Sequence, residues 1–183
     1  KKKDKWVFGA WDGKLYADNT KVLFQYINEN HKNITPIWIT GENFALEQVR
    51  SLGYLCYHKH SLIGLWHYLT AGACFITAGL GDIERTIGNG NQKVIQLWHG
   101  MGIKGFGLPS EKIKHCDAEY VANLKKVYQN EHARWYWMST SEESKEKYAR
   151  SCLIPENHMF ITGQPKDDVF ARNTSNAYID EIR

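Results

Sequence analysis

Residues 61–80 read SLIGLWHYLTAGACFITAGL, twenty positions without a formal charge. A stretch of that length is long enough to span a bilayer as a helix. Its content divides it instead, because Gly64, Gly72 and Gly79 interrupt it and His67, Thr70 and Thr77 are poor lipid-facing residues. The division predicts a buried helix from residue 61 to about 71, a turn at Gly72, and a short buried strand, CFITA, at 74–78.

The same alternation continues outward in both directions. Toward the carboxyl end come the strand KVIQLW at 93–98, then a polar and aromatic section holding a helix from 117 to about 129. The strand WYWMS at 135–139, a charged surface helix at 142–150 and the strand HMFIT at 158–162 follow. Toward the amino end, Tyr54 to Tyr57 reads as a short strand, 42–51 as a helix and PIWIT at 36–40 as a strand. Before them, Asp18 is a plausible cap for a helix running to about residue 30 with Val22, Leu23, Tyr26 and Ile27 as its apolar stripe, and 6–9 is the first strand. Strands alternating with helices predict an α/β domain, a doubly wound and mostly parallel sheet covered on both faces. The 183 residues, 43% hydrophobic, suffice for one core of this kind.

Charge and cysteine content narrow the function. The net charge of +3 is carried entirely by Lys1, Lys2, Lys3 and Lys5 against Asp4, so the rest of the chain lacks the basic surplus of a nucleic-acid-binding domain. The basic run is followed by an alternating strand and not by the plain apolar run of a signal peptide. Cys56, Cys74, Cys116 and Cys152 form no CxxC pair, and three of them lie in apolar surroundings, which predicts reduced, structural thiols. No cofactor motif and no metal-binding set is present in the sequence: His58 and His60 lack an acidic or thiol partner at ligand spacing, HExxH does not occur, and Gly88 and Gly90 do not complete GxGxxG.

In doubly wound sheets, ligands bind beyond the carboxyl ends of the strands. Three polar, glycine-bearing loops fall there: GAWDGKLYADN after the first strand, HGMGIKG after KVIQLW, and GQPKDD after HMFIT. His99 stands at the end of an apolar strand beside Gly100, where a strand fixes an imidazole that its loop exposes; a histidine so placed either accepts a proton from a hydroxyl near neutral pH or is simply a strand-end packing residue. Lys104, among several glycines, suggests contact with phosphate.

Three segments together, KWVFGAWDGKLYADNTKVLFQYI, KVIQLWHGMGIKGFG and FITGQPKDDVF, resemble in order and spacing the motifs of the CDP-glycerol:poly(glycerophosphate) glycerophosphotransferases. The resemblance implies a GT-B architecture of two Rossmann-like domains, of which this chain is the amino-terminal, acceptor-side half. It implies transfer of glycerol phosphate from CDP-glycerol to a hydroxyl of a lipid-linked teichoic acid or capsular polymer, with release of CMP and without a metal. His99 corresponds to the family's general base in WHG. Asp18, Asn19, Gly100, Lys104, Lys166 and Asp168 are the expected substrate-binding residues. Most of the donor site and a second essential histidine belong to the family's carboxyl-terminal domain. Two departures bear on the acceptor: Met101-Gly102 replaces Thr-Pro after the glycine of WHG, and Lys166 stands where GxPR has arginine, keeping the charge but losing the bidentate fork.

Peripheral attachment at the cytoplasmic face of the membrane is the expected location, with residues 1–5 either attracted to anionic lipid or a solvated tail. Two other readings share the same layout. One is a GT-B half that uses a nucleotide sugar, and the other is a module that binds an anionic polymer without turnover.

Overall fold

Seven strands pair in the order β3-β2-β1-β4-β5-β6-β7, and every pairing is parallel. In the computed structural model the described residues are 2–84, 92–100, 105–132 and 134–172, the last three by backbone alone. The strands are β1 (Lys2–Phe8), β2 (Thr35–Thr40), β3 (Cys56–His58), β4 (Ala71–Ile76), β5 (Lys93–Gln96), β6 (Trp135–Ser139) and β7 (Met159–Ile161). The helices are α1 (Asp18–Asn30), α2 (Asn43–Ser51), α3 (Leu62–Thr70), α4 (Glu111–Lys114), α5 (Ala118–His132), α6 (Glu142–Cys152) and α7 (Asp167–Arg172). This is the expected α/β sheet with Rossmann-like strand order. The order reverses at β1, whose neighbours are β2 and β4, so the crevice beyond the carboxyl ends of β1 and β4 is the switch point.

Two apolar layers flank the sheet. On one face Phe8, Phe24, Trp38, Ala45 and Val49 bury α1 and α2, with Phe24 set edge-on against both Phe8 and Trp38. On the other, Val7, Ile39, Tyr68, Val94, Trp137 and Tyr148 pack beneath α3 and α6. No helix among the described residues is long and apolar enough to cross a membrane.

Residues 61–80 do split into a helix and a strand, but without an intervening turn: α3 ends at Thr70 and β4 starts at Ala71. Gly72 serves a different need there. A Cβ on it would lie 2.7 Å from the Lys2 carbonyl oxygen, where β1 crosses β4 at a register shift. Lys2, Lys3 and Lys5 are likewise not a tail. Lys2, Lys3 and Lys5 belong to β1; Lys5 is 4% exposed, its Nζ donates to Thr70 Oγ1 at 2.9 Å, and it sits 3.7 Å from the centroid of the Trp66 ring.

The buried face of α1 also differs from the expected stripe. Asn19, Thr20, Phe24 and Ile27 are buried, whereas Val22 and Leu23 are half-buried and Tyr26 is exposed. The helix is rotated toward its polar first turn because Asn19 has partners deep in the structure. Asp18 is not the cap either: Ala17 occupies that position and Asp18 has a φ of 66°. The thiols of Cys56, Cys74 and Cys152 are buried, and burial pushes those of Cys56 and Cys152 up to about 12, which leaves them protonated and inert.

Candidate functional site

Loops from the ends of β1, β4, β5 and β7 meet at the switch point, and two buried polar side chains hold them in place. Asn19 is 0% exposed. Its Nδ2 donates to the carbonyls of Leu97 (3.3 Å) and Trp98 (2.9 Å) and to Gln164 Oε1 (3.3 Å), while its Oδ1 accepts from the Lys166 backbone N–H at 3.1 Å. One side chain thereby joins three loops and leaves no buried polar atom of its own unmatched.

Asp82 does the same on the other side. It is also 0% exposed, and its carboxylate accepts from the backbone N–H groups of Asp12 (2.7 Å), Thr77 (2.7 Å) and Ala78 (2.8 Å) and from Thr77 Oγ1 (3.1 Å). The close approach requires Gly9, where a Cβ would lie 2.3 Å from the Asp82 carbonyl oxygen.

His99 follows β5 at its carboxyl end, half-buried and in contact with two indoles. Its ring stacks on Trp98 with centroids 4.5 Å apart and meets Trp11 at 5.0 Å. This desolvation lowers the imidazole pKa from its ordinary value; Asp18 opposes the shift, Lys166 adds to it, and Asp82 opposes it. His99 is therefore neutral at physiological pH and able to accept a proton. Trp11, Asp12, Asp18 and Trp98 all have positive φ between 51° and 66°, in a region that side chains other than glycine rarely adopt. Strain of this kind gathers where a rigid surrounding structure imposes it, commonly at functional sites.

Of the expected site residues, Asp18, Asn19, Gly100 and Lys166 converge on His99. Lys166 Nζ donates to Asp18 Oδ1 at 3.2 Å and to the His99 carbonyl at 2.6 Å, so its charge is engaged within the protein. Asn19 is an internal clamp and has no surface to offer a substrate. The Gly100 carbonyl accepts from Tyr148 Oη at 3.1 Å, and no protein atom lies within 4 Å of the position a Cβ would take. Asp168 sits apart, in a groove between α1 and α7 that Val22, Tyr26 and Val169 also line. Lys104 lies outside the described residues.

The model of the CDP-glycerol:poly(glycerophosphate) glycerophosphotransferase family matches residues 1–183. The chain belongs to this family. It is 24% identical over 97% of its length to the teichoic acid poly(glycerol phosphate) polymerase of Staphylococcus epidermidis, covering 24% of that protein. It is 25% identical to the teichoic acid glycerol-phosphate transferase of Staphylococcus aureus over 96% of the chain and 44% of that protein. A structure of the wall teichoic acid polymerase TagF superposes with a TM-score of 0.78 at 24% identity, covering all of this chain and 44% of that one, a likeness of fold. The chain thus spans less than half the length of these relatives.

Two residues of the site carry no obvious mark in the sequence. Trp11 lies in a loop whose glycines and acids draw attention away from its ring, although a tryptophan three positions past an apolar strand is a usable signal. Asp82 is one of two acids in the loop after CFITA, and part of its role depends on the backbone N–H of Asp12, seventy positions earlier.

Proposed function

We propose that the chain is the acceptor-side half of a GT-B glycerophosphotransferase that moves glycerol phosphate from CDP-glycerol to a hydroxyl of a lipid-linked teichoic acid or capsular polymer acceptor. The observation that carries this is His99: an imidazole at the carboxyl end of β5, in ring contact with Trp11 and Trp98 in the switch-point crevice of a chain that belongs to this family. In the reaction the acceptor oxygen attacks the β-phosphorus of the donor, its proton passes to the imidazole, the new P–O bond forms, and the bond to CMP breaks. Lys166 and Asp18 act by holding the His99 backbone, and Lys104 is assigned to the acceptor phosphate. The donor site is assigned to a second domain, so the 183 residues alone should show little turnover.

The parent enzyme is placed at the cytoplasmic membrane surface, where a lipid-linked acceptor would be found. The burial of Lys5 in β1 leaves Lys2, Lys3 and the opposing Asp4 as the exposed charges of that strand. A nucleotide-sugar transferase shares the architecture, and the test separates the two. In the full-length parent, CDP-glycerol should release CMP while UDP-sugars release no UDP. His99→Ala should lower kcat by about 10²-fold or more with an unchanged denaturant midpoint. Its acid limb is informative too: because the pKa of His99 is lowered, wild-type kcat/KM should hold as pH falls below the ordinary imidazole value of 6.5 before declining. Near-normal turnover in a well-folded His99→Ala enzyme would overturn the role.

A further inference from the structure

Lys59 follows β3 at its carboxyl end, on the side of the switch-point crevice away from β7. Its backbone N–H donates to the Thr40 carbonyl at 2.8 Å, and its Nζ reaches the loop after β1, where it donates to the Asp12 carbonyl at 3.1 Å. Two glycines make room for that path. A Cβ on Gly41 would lie 2.8 Å from Lys59 Cε, and one on Gly13 would lie 3.4 Å from its Cδ. His58 braces the same loop, with Nε2 donating to the Gly41 carbonyl at 2.8 Å and Nδ1 accepting from the His60 N–H at 3.2 Å. The half-buried lysine stem is thus seated in a trough of backbone before anything binds.

The seat fixes the stem and leaves the charge over. One ammonium hydrogen goes to the Asp12 carbonyl, two remain, and Lys59 forms no ion pair among the described residues. The acids adjoining the trough are Asp12 and Glu42. Asp12 Oδ1 is turned toward Gly81, 2.8 Å from where a Cβ on that glycine would lie, and Glu42 is exposed at the start of α2. Lys166, by contrast, is engaged by Asp18 and the His99 carbonyl. Asp12 adjoins Trp11, whose ring meets His99, so the held ammonium stands one turn of backbone from the imidazole. A cation fixed in advance binds an anion at less cost in ordering than a free side chain does.

We propose that Lys59 holds a phosphate of the acceptor one unit back from the hydroxyl that reacts, so that the acceptor runs from His99 over the turn at 11–13 toward β3. This rests on the reaction proposed above, and adds to it the direction of the acceptor and a requirement for negative charge on it. Lys59 sets specificity and takes no part in bond making.

The test uses the full-length parent with two soluble acceptors on the same short alkyl chain, a dimer of glycerol phosphate and the neutral diglycerol. Lys59→Met keeps the stem in its trough and removes the charge. It should raise KM for the phosphate acceptor about tenfold, leave kcat and the KM for CDP-glycerol within about twofold of wild type, and spare the neutral acceptor. Lys59→Arg should bring that KM back to within about threefold of wild type. Gly41→Ala presses a Cβ against Lys59 Cε and should give part of the same rise at an unchanged denaturant midpoint. That variant decides the matter if Lys59→Met does not fold. Calorimetric titration with the phosphate dimer, without CDP-glycerol, separates the contact from the reaction: tighter binding by wild type than by Lys59→Met, with no CMP released once donor is added, would fail the reaction and uphold the contact. An unchanged KM in Lys59→Met, or an equal loss with both acceptors, as a lysine that only steadies the Asp12 turn would give, would overturn the inference.

Discussion

α1 and α5 are of similar length, 13 and 15 residues, and they cover the sheet in opposite ways. α1 buries Asn19, Thr20, Phe24 and Ile27, spread over its first three turns. α5 buries His132 at its last position, while Tyr120 and Val127 are 50% and 46% exposed. The first helix is fixed along its length and carries the clamp that sets the crevice. The second is held at one end and leaves a cavity between itself and β5 and β6. Rigidity in this fold is concentrated where three loops must be kept in register, not spread evenly over the sheet.

The contrast predicts a gradient of mutational cost. Phe24→Ala removes a fully buried ring set against Phe8 and Trp38 and should cost about 3–5 kcal/mol in urea or guanidinium unfolding. A smaller loss would mean that α1 is less firmly seated than its burial implies. Asn19→Ala leaves the Leu97 and Trp98 carbonyls and the Lys166 N–H without their partner, and should cost about 2–4 kcal/mol. It should also lower turnover of the parent enzyme, because His99 follows the carbonyls that Asn19 holds.

His132, the one firm anchor of α5, sharpens the comparison through pH. Burial lowers its imidazole pKa from the ordinary 6.5, with the Cys152 carbonyl and Glu131 opposing the shift. The unfolded chain therefore takes up a proton at a higher pH than the folded one. Stability from this group is complete above about pH 6.5 and declines as pH falls below it toward the folded-state pKa. Denaturant midpoints measured from pH 7.5 to 5 should fall less in His132→Gln than in the wild type. Least of all should Tyr120→Ser matter: on the exposed side of α5 it should shift stability by no more than about 0.5 kcal/mol. A larger effect there would show that α5 packs more tightly than its exposure suggests.

The sheet was legible because each central strand is a short apolar run bounded by turns, as in CFITA and WYWMS, and because the helices between them are long enough to force crossovers. β1 was harder to delimit, since four lysines in five residues read as a tail. Lys5 joins the strand by lying on Trp66, a partner more than sixty positions away. The position of His99 at a strand end was visible for the same reason as the strand itself. The work of Asn19 was not. An asparagine in a polar loop reads as surface, and its satisfied burial depends on carbonyls at 97 and 98 and a side chain at 164. Lys166 shows the converse: its charge was evident, but its attachment to Asp18 and His99 depends on β7 returning beside the first loop.

The Asn19 clamp also dates the site within the life of the chain. Its contacts join residues 78 and 145 positions apart, so during synthesis strands β1 to β5 can pair well before the crevice has its final shape. Only once residues near 166 have emerged and docked are the amide of Asn19 and the backbone of His99 both held. Such long closures form late in folding, and the loss of the last strand alone would release the site while much of the sheet stayed paired. Amide exchange at Lys166, whose N–H reports that last closure, should therefore be faster than exchange in the middle of β1.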